Sequence, residues 1–162
     1  MADRENSWFV PALSLLLTVA LALVPLPRPI SGFRPDWVAV VLLYWSLTAP
    51  HRFSLLTAFW MGIVLDTLSG SLLGQHALAL LVIVYLAERL HLRIRVFPLS
   101  QLGLTVFALL CVYQFILFWI DGVAGRTVPL TERWAPPLTG TLVWLALLAV
   151  FDSGRREAHE RL

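Results

Sequence analysis

The chain has 162 residues, of which 59% are apolar and 14% are charged, and its mean hydropathy is +0.79. A soluble domain carries about 25% charged residues and needs polar side chains over its surface. The composition therefore excludes a water-soluble globular protein, and its apolar content excludes a disordered chain. All twelve basic residues are arginine and they form no basic stripe, which argues against nucleic-acid binding. A small polytopic membrane protein remains.

Apolar runs follow one another along the chain, and most of them are long enough to cross a bilayer. The first starts at Trp8 and ends in a proline-rich segment that cannot continue a helix. The stretch from Phe53 to Glu88 is too long for one span, and the residues between Ser69 and Gly74 favour a tight turn within it. The second and fourth runs are short, which leaves a bundle of five helices as the alternative. The pattern predicts one all-α domain of six transmembrane helices, at about residues 8–24, 35–49, 53–70, 74–88, 99–120 and 136–151.

The last predicted helix starts at Pro136-Pro137, which follow a polar loop over residues 121–135. Proline suits a first helical turn, because an amide N–H there has no partner within the helix. Six spans place eight arginines on one side of the membrane and four on the other. The positive-inside rule therefore predicts that both termini, and the hydrophilic tail at residues 152–162, are cytoplasmic.

Asp66 is the residue that most needs an explanation, because a charged side chain at membrane depth costs about 2.5–3.5 kcal/mol on insertion scales. At 1.5 Å per residue, a helix that begins near Phe53 on the cytoplasmic side places Asp66 in the outer half of the membrane. Arg34 and His76 are predicted to lie at that end, whereas Arg52 lies at the other. Sequence alone does not decide whether the carboxyl group is ionised.

The neighbours of Asp66 are small. Gly62 lies four residues before it, and Ser69 and Gly70 follow at three and four residues, so all of them share one helix face. Such a face lets another helix approach closely. Three interpretations of Asp66 stay open: a tie between two helices of this chain, a proton or substrate site, and a contact with the membrane helix of a partner protein.

Catalytic patterns are weak. Asp66, Ser69 and His76 superficially suggest a hydrolase triad, but no glycine-flanked nucleophile elbow accompanies them. An aspartyl protease needs two carboxylates, and only Asp66 lies within a predicted span and more than one residue from its ends. The histidines lack metal-ligand spacing, and Cys111 lies mid-span as a small apolar filler. We therefore predict no catalytic residue, metal site or cofactor.

The segment Phe33-Arg34-Pro35-Asp36-Trp37 is a compact entry into the second helix. Pro35 suits the first helical turn, Asp36 suits the positive end of the helix dipole, and Trp37 suits the membrane interface. The segment is interpreted either as a helix cap or as an exposed docking site for another protein.

Five motifs occur in a fixed order along residues 30–90. They are Phe33-Arg34-Pro35-Asp36-Trp37, Leu42-Leu43-Tyr44-Trp45, Pro50-His51-Arg52, Met61-Gly62-Ile63-Val64-Leu65-Asp66 and Ser69-Gly70-Ser71-Leu72-Leu73-Gly74. Together they resemble the MreD family, the rod shape-determining membrane proteins of Gram-negative rods. The rest of the chain resembles the family in its span pattern and length.

The resemblance implies a non-enzymatic, multi-pass protein of the bacterial inner membrane. It implies a place in the elongation complex that inserts peptidoglycan along the lateral wall, with binding to the bitopic protein MreC. The associated proteins would be the MreB filament, the glycosyltransferase RodA and its penicillin-binding transpeptidase.

The family fold is related to the small substrate-binding subunits of vitamin transporters. A small-molecule-binding or transport subunit that uses the Asp66 region is therefore the alternative function. The candidate structural or interaction residues are Asp66, Gly62, Ser69, Gly70, Gly74, Arg34, Pro35, Trp37, Tyr44, Trp45, Pro50, His51 and Arg52.

Overall fold

The structure is a computed structural model that describes residues 6–24, 27, 32–48, 55–94 and 98–160. These residues form six helices and no strand, so the predicted all-α fold is confirmed. The helices are α1 (Asn6–Leu23), α2 (Trp37–Thr48), α3 (Leu55–Ser69), α4 (Gln75–Ile94), α5 (Leu99–Val123) and α6 (Leu130–Glu160).

Helix α2 lies at the centre of the bundle, where it contacts α1, α4, α5 and α6. All its side chains from Val38 to Tyr44 are buried. A helix that is apolar on every side belongs in such an interior position. With 12 residues it is short for a membrane span, but protein rather than lipid surrounds it, so its length need not match the bilayer.

Among the described residues, one helix, Leu99–Val123, is long and apolar enough to cross a membrane, judged by its length and composition alone. The apolar segments Val10–Leu23, Trp37–Thr48 and Leu55–Ser69 are shorter. The membrane boundaries of the six spans, and their orientation, stay predictions.

Helices α3 and α4 approach closely at Gly62. A Cβ atom built on Gly62 would lie 2.1 Å from the Cα atom of Ala77 on α4. No real side chain tolerates that distance, so the predicted close approach at Gly62 is confirmed.

The connection between α3 and α4 spans residues 70–74, as predicted. Gly70 and Gly74 have φ angles of +62° and +96°, a left-handed conformation that glycine adopts without steric cost. Gly70 therefore belongs to the turn, and its predicted position on the packing face with Gly62 was wrong. The helix ends at Ser69, one residue before it.

Helix α6 begins earlier than predicted, so Pro136 and Pro137 lie inside it and do not start it. The backbone N–H of Arg133 already donates to the carbonyl of Pro129 at 3.1 Å. The predicted polar loop over residues 121–135 is a connection of only residues 124–129, because α5 continues to Val123. The helix also runs through the hydrophilic tail to Glu160.

Three connections meet at one end of the bundle: residues 32–36, 70–74 and 124–129. Gly32 lies against Glu132, with its Cβ position 3.1 Å from the Cγ atom. Residues of all three connections line one cavity. We call this the outer end, after the orientation that the arginine distribution predicts.

Candidate polar site at the outer end

Asp66 lies in the last turn of α3 and is 1% exposed. Its Oδ1 atom accepts hydrogen bonds from the Ser71 hydroxyl at 2.8 Å and from the His76 backbone N–H at 2.9 Å. The Nδ1 atom of the His76 ring lies 2.7 Å from the same oxygen, and the Gly74 N–H donates to Oδ2 at 2.8 Å. We call these four residues the Asp66 cluster.

The Asp66 cluster joins the end of α3 to the start of α4. Both carboxylate oxygens are engaged by donors from the connection and the first turn of α4. An ionised carboxylate only accepts, so the His76 contact assigns the ring hydrogen to Nδ1. Of the three interpretations of Asp66, a tie between two helices of this chain accounts for these contacts.

The partners of Asp66 differ in part from the expected ones. His76 is a partner, but the serine in contact is Ser71, while Ser69 is exposed. The guanidinium of Arg34 donates to the backbone carbonyl of Leu21, at the end of α1. Arg34 and His76 nevertheless line the same cavity, at the predicted end of the bundle.

A second buried group consists of Asp121 on α5, Gln75 at the start of α4 and Arg133 on α6. The Gln75 amide donates to Asp121 Oδ1 at 2.8 Å, and the Arg133 guanidinium forms an ion pair with Asp121 Oδ2. All three side chains are buried. We call this group the Asp121 cluster, and it ties three helices together at the outer end.

Sequence reasoning missed the Asp121 cluster. It treated Asp121 as the first residue of a polar loop, whereas the structure places it inside α5, so the predicted start of that loop was wrong. The usable signal was a pair of opposite charges, Asp121 and Arg133, on the two sides of a short connection.

Asp36 joins the outer end to α5. Its carboxylate accepts a hydrogen bond from the buried amide of Gln114, and its backbone carbonyl accepts from the Val40 N–H at 3.0 Å. The helix therefore starts at Trp37, and Pro35 precedes it instead of lying in its first turn.

The remaining motif residues have packing roles where the structure describes them. The rings of Tyr44 and Trp45 meet edge to face with centroids 5.3 Å apart. The Trp45 indole N–H donates to the Ser14 hydroxyl at 2.9 Å and so ties α2 to α1. Pro50, His51 and Arg52 lie outside the described residues.

Two cavities lie at the outer end. The larger, of about 340 Å³, is lined by residues of both clusters together with Asp36, Gln114 and Glu132. The smaller, of about 180 Å³, shares Arg34, Asp36 and His76 with it. We call the larger one the outer cavity. In the part of the chain that the structure describes, no three His, Cys, Asp or Glu side chains are grouped to hold a metal ion.

Comparison with known proteins connects this architecture to one family. The family described as rod shape-determining protein MreD matches residues 2–151. The chain belongs to the MreD family. A relative from Haemophilus influenzae, named rod shape-determining protein MreD, is 28% identical over 147 residues, which cover 91% of this chain and 83% of the relative.

Membership in the MreD family assigns the chain to the rod-shape machinery of bacteria, as a membrane protein that determines cell shape. The resemblance noted in the sequence is thereby confirmed. No solved structure matches the chain, so the relation to vitamin transporter subunits stays a prediction.

Proposed function

We propose that this MreD-family chain is a non-enzymatic component of the cell-elongation complex in the inner membrane. It binds the bitopic protein MreC and so supports lateral peptidoglycan synthesis by RodA, its penicillin-binding transpeptidase and the MreB filament. The supporting observation is the full engagement of the Asp66 carboxylate, whose two oxygens accept from Ser71, Gly74 and His76. A carboxylate held in this way fixes the turn between α3 and α4.

The outer end presents exposed apolar side chains, one of them in the turn that Asp66 fixes. Leu73 in this turn is 73% exposed, Phe33 is 61% exposed, and Leu130 at the start of α6 is 67% exposed. Exposed apolar groups that cluster on one surface mark interaction sites. Within the bilayer, association rests on close packing and interhelical hydrogen bonds, because lipid is as apolar as the helix surface.

Site-specific photo-crosslinking in living cells tests this function. A photoreactive residue at Phe33, Leu73 or Leu130 is expected to crosslink to MreC. Leu16 on α1 is the matched control, since it is 68% exposed but lies away from the outer end. Functional protein that gives no MreC crosslink at the three outer positions, or an equal yield at Leu16, would contradict the proposal.

A small-molecule-binding or transport subunit is the second candidate, and the outer cavity favours it. His76 and Ser71 of the Asp66 cluster line that cavity, whose volume of about 340 Å³ lies at the lower end of the range for ligand pockets. A small molecule that co-purifies with the solubilised chain, and is lost after His76→Phe, would support this candidate. A chain that purifies without one would count against it.

A further inference from the structure

Arg34 and Asp36 carry opposite charges at the outer end, yet neither belongs to an ion pair among the described residues. One terminal nitrogen of the Arg34 guanidinium donates to the Leu21 carbonyl, and Oδ2 of Asp36 accepts from the Gln114 amide. The two charges lie close enough to interact electrostatically. A guanidinium has five N–H donors and a carboxylate about four acceptor sites, so the described residues leave most of this capacity unused.

Both residues line the smaller of the two cavities, of about 180 Å³, which we call the small cavity. Both are half-buried, so each keeps accessible surface. His76 also lines this cavity, and its ring is engaged with Asp66. With a neutral His76 the lining holds one positive and one negative charge. A ligand with a single charge would leave one of the two unmatched, whereas a zwitterion meets both.

The small cavity lies at the level where the helices end. Its lining comes from the last turn of α1, the start of α2, the last two turns of α3 and the first turn of α4, together with Tyr113 of α5. The ends of membrane helices lie in the headgroup region, beyond a hydrocarbon core of about 30 Å. Trp37, a residue type enriched at this interface, also lines the cavity. Lipid headgroups are therefore the zwitterions that this cavity meets at the highest local concentration.

Exposed apolar side chains flank the small cavity on two helices. Leu23 on α1 is 54% exposed and follows the lining residue Ala22, while Leu68 on α3 is 45% exposed and precedes the lining residue Ser69. The cavity volume is below the range of pockets that enclose a whole small molecule. It suits a headgroup whose acyl chains stay outside and lie on these apolar faces.

We propose that the small cavity binds the headgroup of a phospholipid that carries a primary ammonium group, such as phosphatidylethanolamine. The lipid phosphate accepts from the remaining N–H groups of Arg34, and the ammonium donates to the Asp36 carboxylate. A choline headgroup has both charges but no N–H on its nitrogen, and a glycerol headgroup has no positive charge. This inference goes beyond the proposed function, because it requires no partner protein.

Native mass spectrometry of the full-length chain in detergent tests the inference by titration with three lipids of identical acyl chains. We expect the Kd for phosphatidylethanolamine to be about tenfold lower than that for phosphatidylcholine, the effect of one charge-assisted hydrogen bond. Phosphatidylglycerol should bind no more tightly than phosphatidylcholine. Equal affinity for the ethanolamine and choline lipids would overturn the inference.

Asp36→Asn removes the negative charge and keeps an oxygen that can accept from the Gln114 amide. We expect it to abolish the preference for phosphatidylethanolamine over phosphatidylcholine. Glu132→Gln is the matched control, because Glu132 is an exposed carboxylate that lines the outer cavity and not the small one. A preference that survives Asp36→Asn, or one that Glu132→Gln abolishes equally, would contradict the role of Asp36.

Ser69→Trp is a second variant, which blocks the small cavity from its rim and leaves both charged residues in place. Ser69 is exposed and lines the small cavity, whereas Thr67 is exposed on the same helix and lies outside that lining. We expect Ser69→Trp to weaken binding of phosphatidylethanolamine about tenfold and Thr67→Trp to leave it unchanged. Equal affinities of these two tryptophan variants would overturn the placement of the headgroup.

Free O-phosphoethanolamine distinguishes a lipid from a soluble zwitterion. It offers the same two charges, but it has no acyl chains to bury on the apolar faces of α1 and α3. We therefore expect it to bind at least about tenfold more weakly than phosphatidylethanolamine. If it bound as tightly as the lipid, the cavity would be a site for a soluble zwitterion, and the lipid assignment would be overturned.

Discussion

The two polar clusters at the outer end are built in different ways. The Asp66 cluster closes within eleven residues of one helical hairpin, from Asp66 to His76. The Asp121 cluster joins three helices, with Gln75 and Asp121 separated by 46 positions in sequence. The first is a local tie that shapes a turn, whereas the second holds the end of the bundle together. We therefore expect substitutions in the Asp121 cluster to cost more stability.

Asp121→Leu is expected to have the largest effect. It leaves the buried Arg133 charge unpaired, which costs about 3–5 kcal/mol in the free energy of unfolding. The double variant Asp121→Leu with Arg133→Leu removes both charges and should recover most of that loss. Unfolding measured in bicelles checks both values, with exposed Arg126→Leu as the control. If Asp121→Leu left the free energy of unfolding unchanged, the distinction between the clusters would be lost.

Gly62→Ala is expected to have the next largest effect, a loss of about 3 kcal/mol in the free energy of unfolding. The new Cβ atom overlaps the α4 backbone at Ala77 and forces α3 away. The movement would also pull Asp66 from His76. The matched control is Gly122→Ala in α5, where a Cβ atom meets nothing within 4 Å. Equal melting temperatures for the two alanine variants would contradict the close packing at Gly62.

Asp66→Asn is expected to lower the free energy of unfolding by about 2 kcal/mol. An asparagine oxygen keeps the hydrogen bonds now made to Oδ1, but its amide group faces the Gly74 N–H that now donates to Oδ2. The variant should still fold and insert, with a lower melting temperature in detergent. A loss larger than that of Asp121→Leu would reverse the order of the two clusters.

The smallest effect is expected for Ser71→Ala, at about 1 kcal/mol, because it removes one hydrogen bond to the Asp66 carboxylate. Ser69→Ala is the control that distinguishes the structure from the sequence-based expectation. Ser69 is exposed, so its loss should leave the melting temperature unchanged. If Ser69→Ala proved the more damaging of the two, the Asp66 cluster would be wrongly assigned.

The local features of the molecule were predictable from the sequence. Glycine and serine after Ser69 indicated the turn, and helical spacing placed Gly62 beside Asp66. Counting residues along a helix predicted which end of the bundle carries His76. Each of these inferences uses neighbours in sequence, whose relative positions the backbone geometry of a helix or turn determines.

The contacts between distant helices were not predictable in the same way. Nothing periodic relates Gln75 to Asp121 and Arg133, because their meeting depends on how α4, α5 and α6 are set against one another. The same tertiary pairing explains the early start of α6. The Arg133 ion pair fixes the first turn of α6, and this outweighs the preference of Pro136 and Pro137 for a helix start.

The central claim is that the Asp66 carboxylate acts by holding the outer end in shape, and that the chain acts by association. The most direct measurement is the width and length of cells whose only copy carries Asp66→Asn, at a protein level matched to the natural chain. We predict that these cells grow as rods, because the amide keeps most of the hydrogen bonds. Round cells containing normal amounts of folded, inserted protein would show that the charge itself is required and would contradict the account.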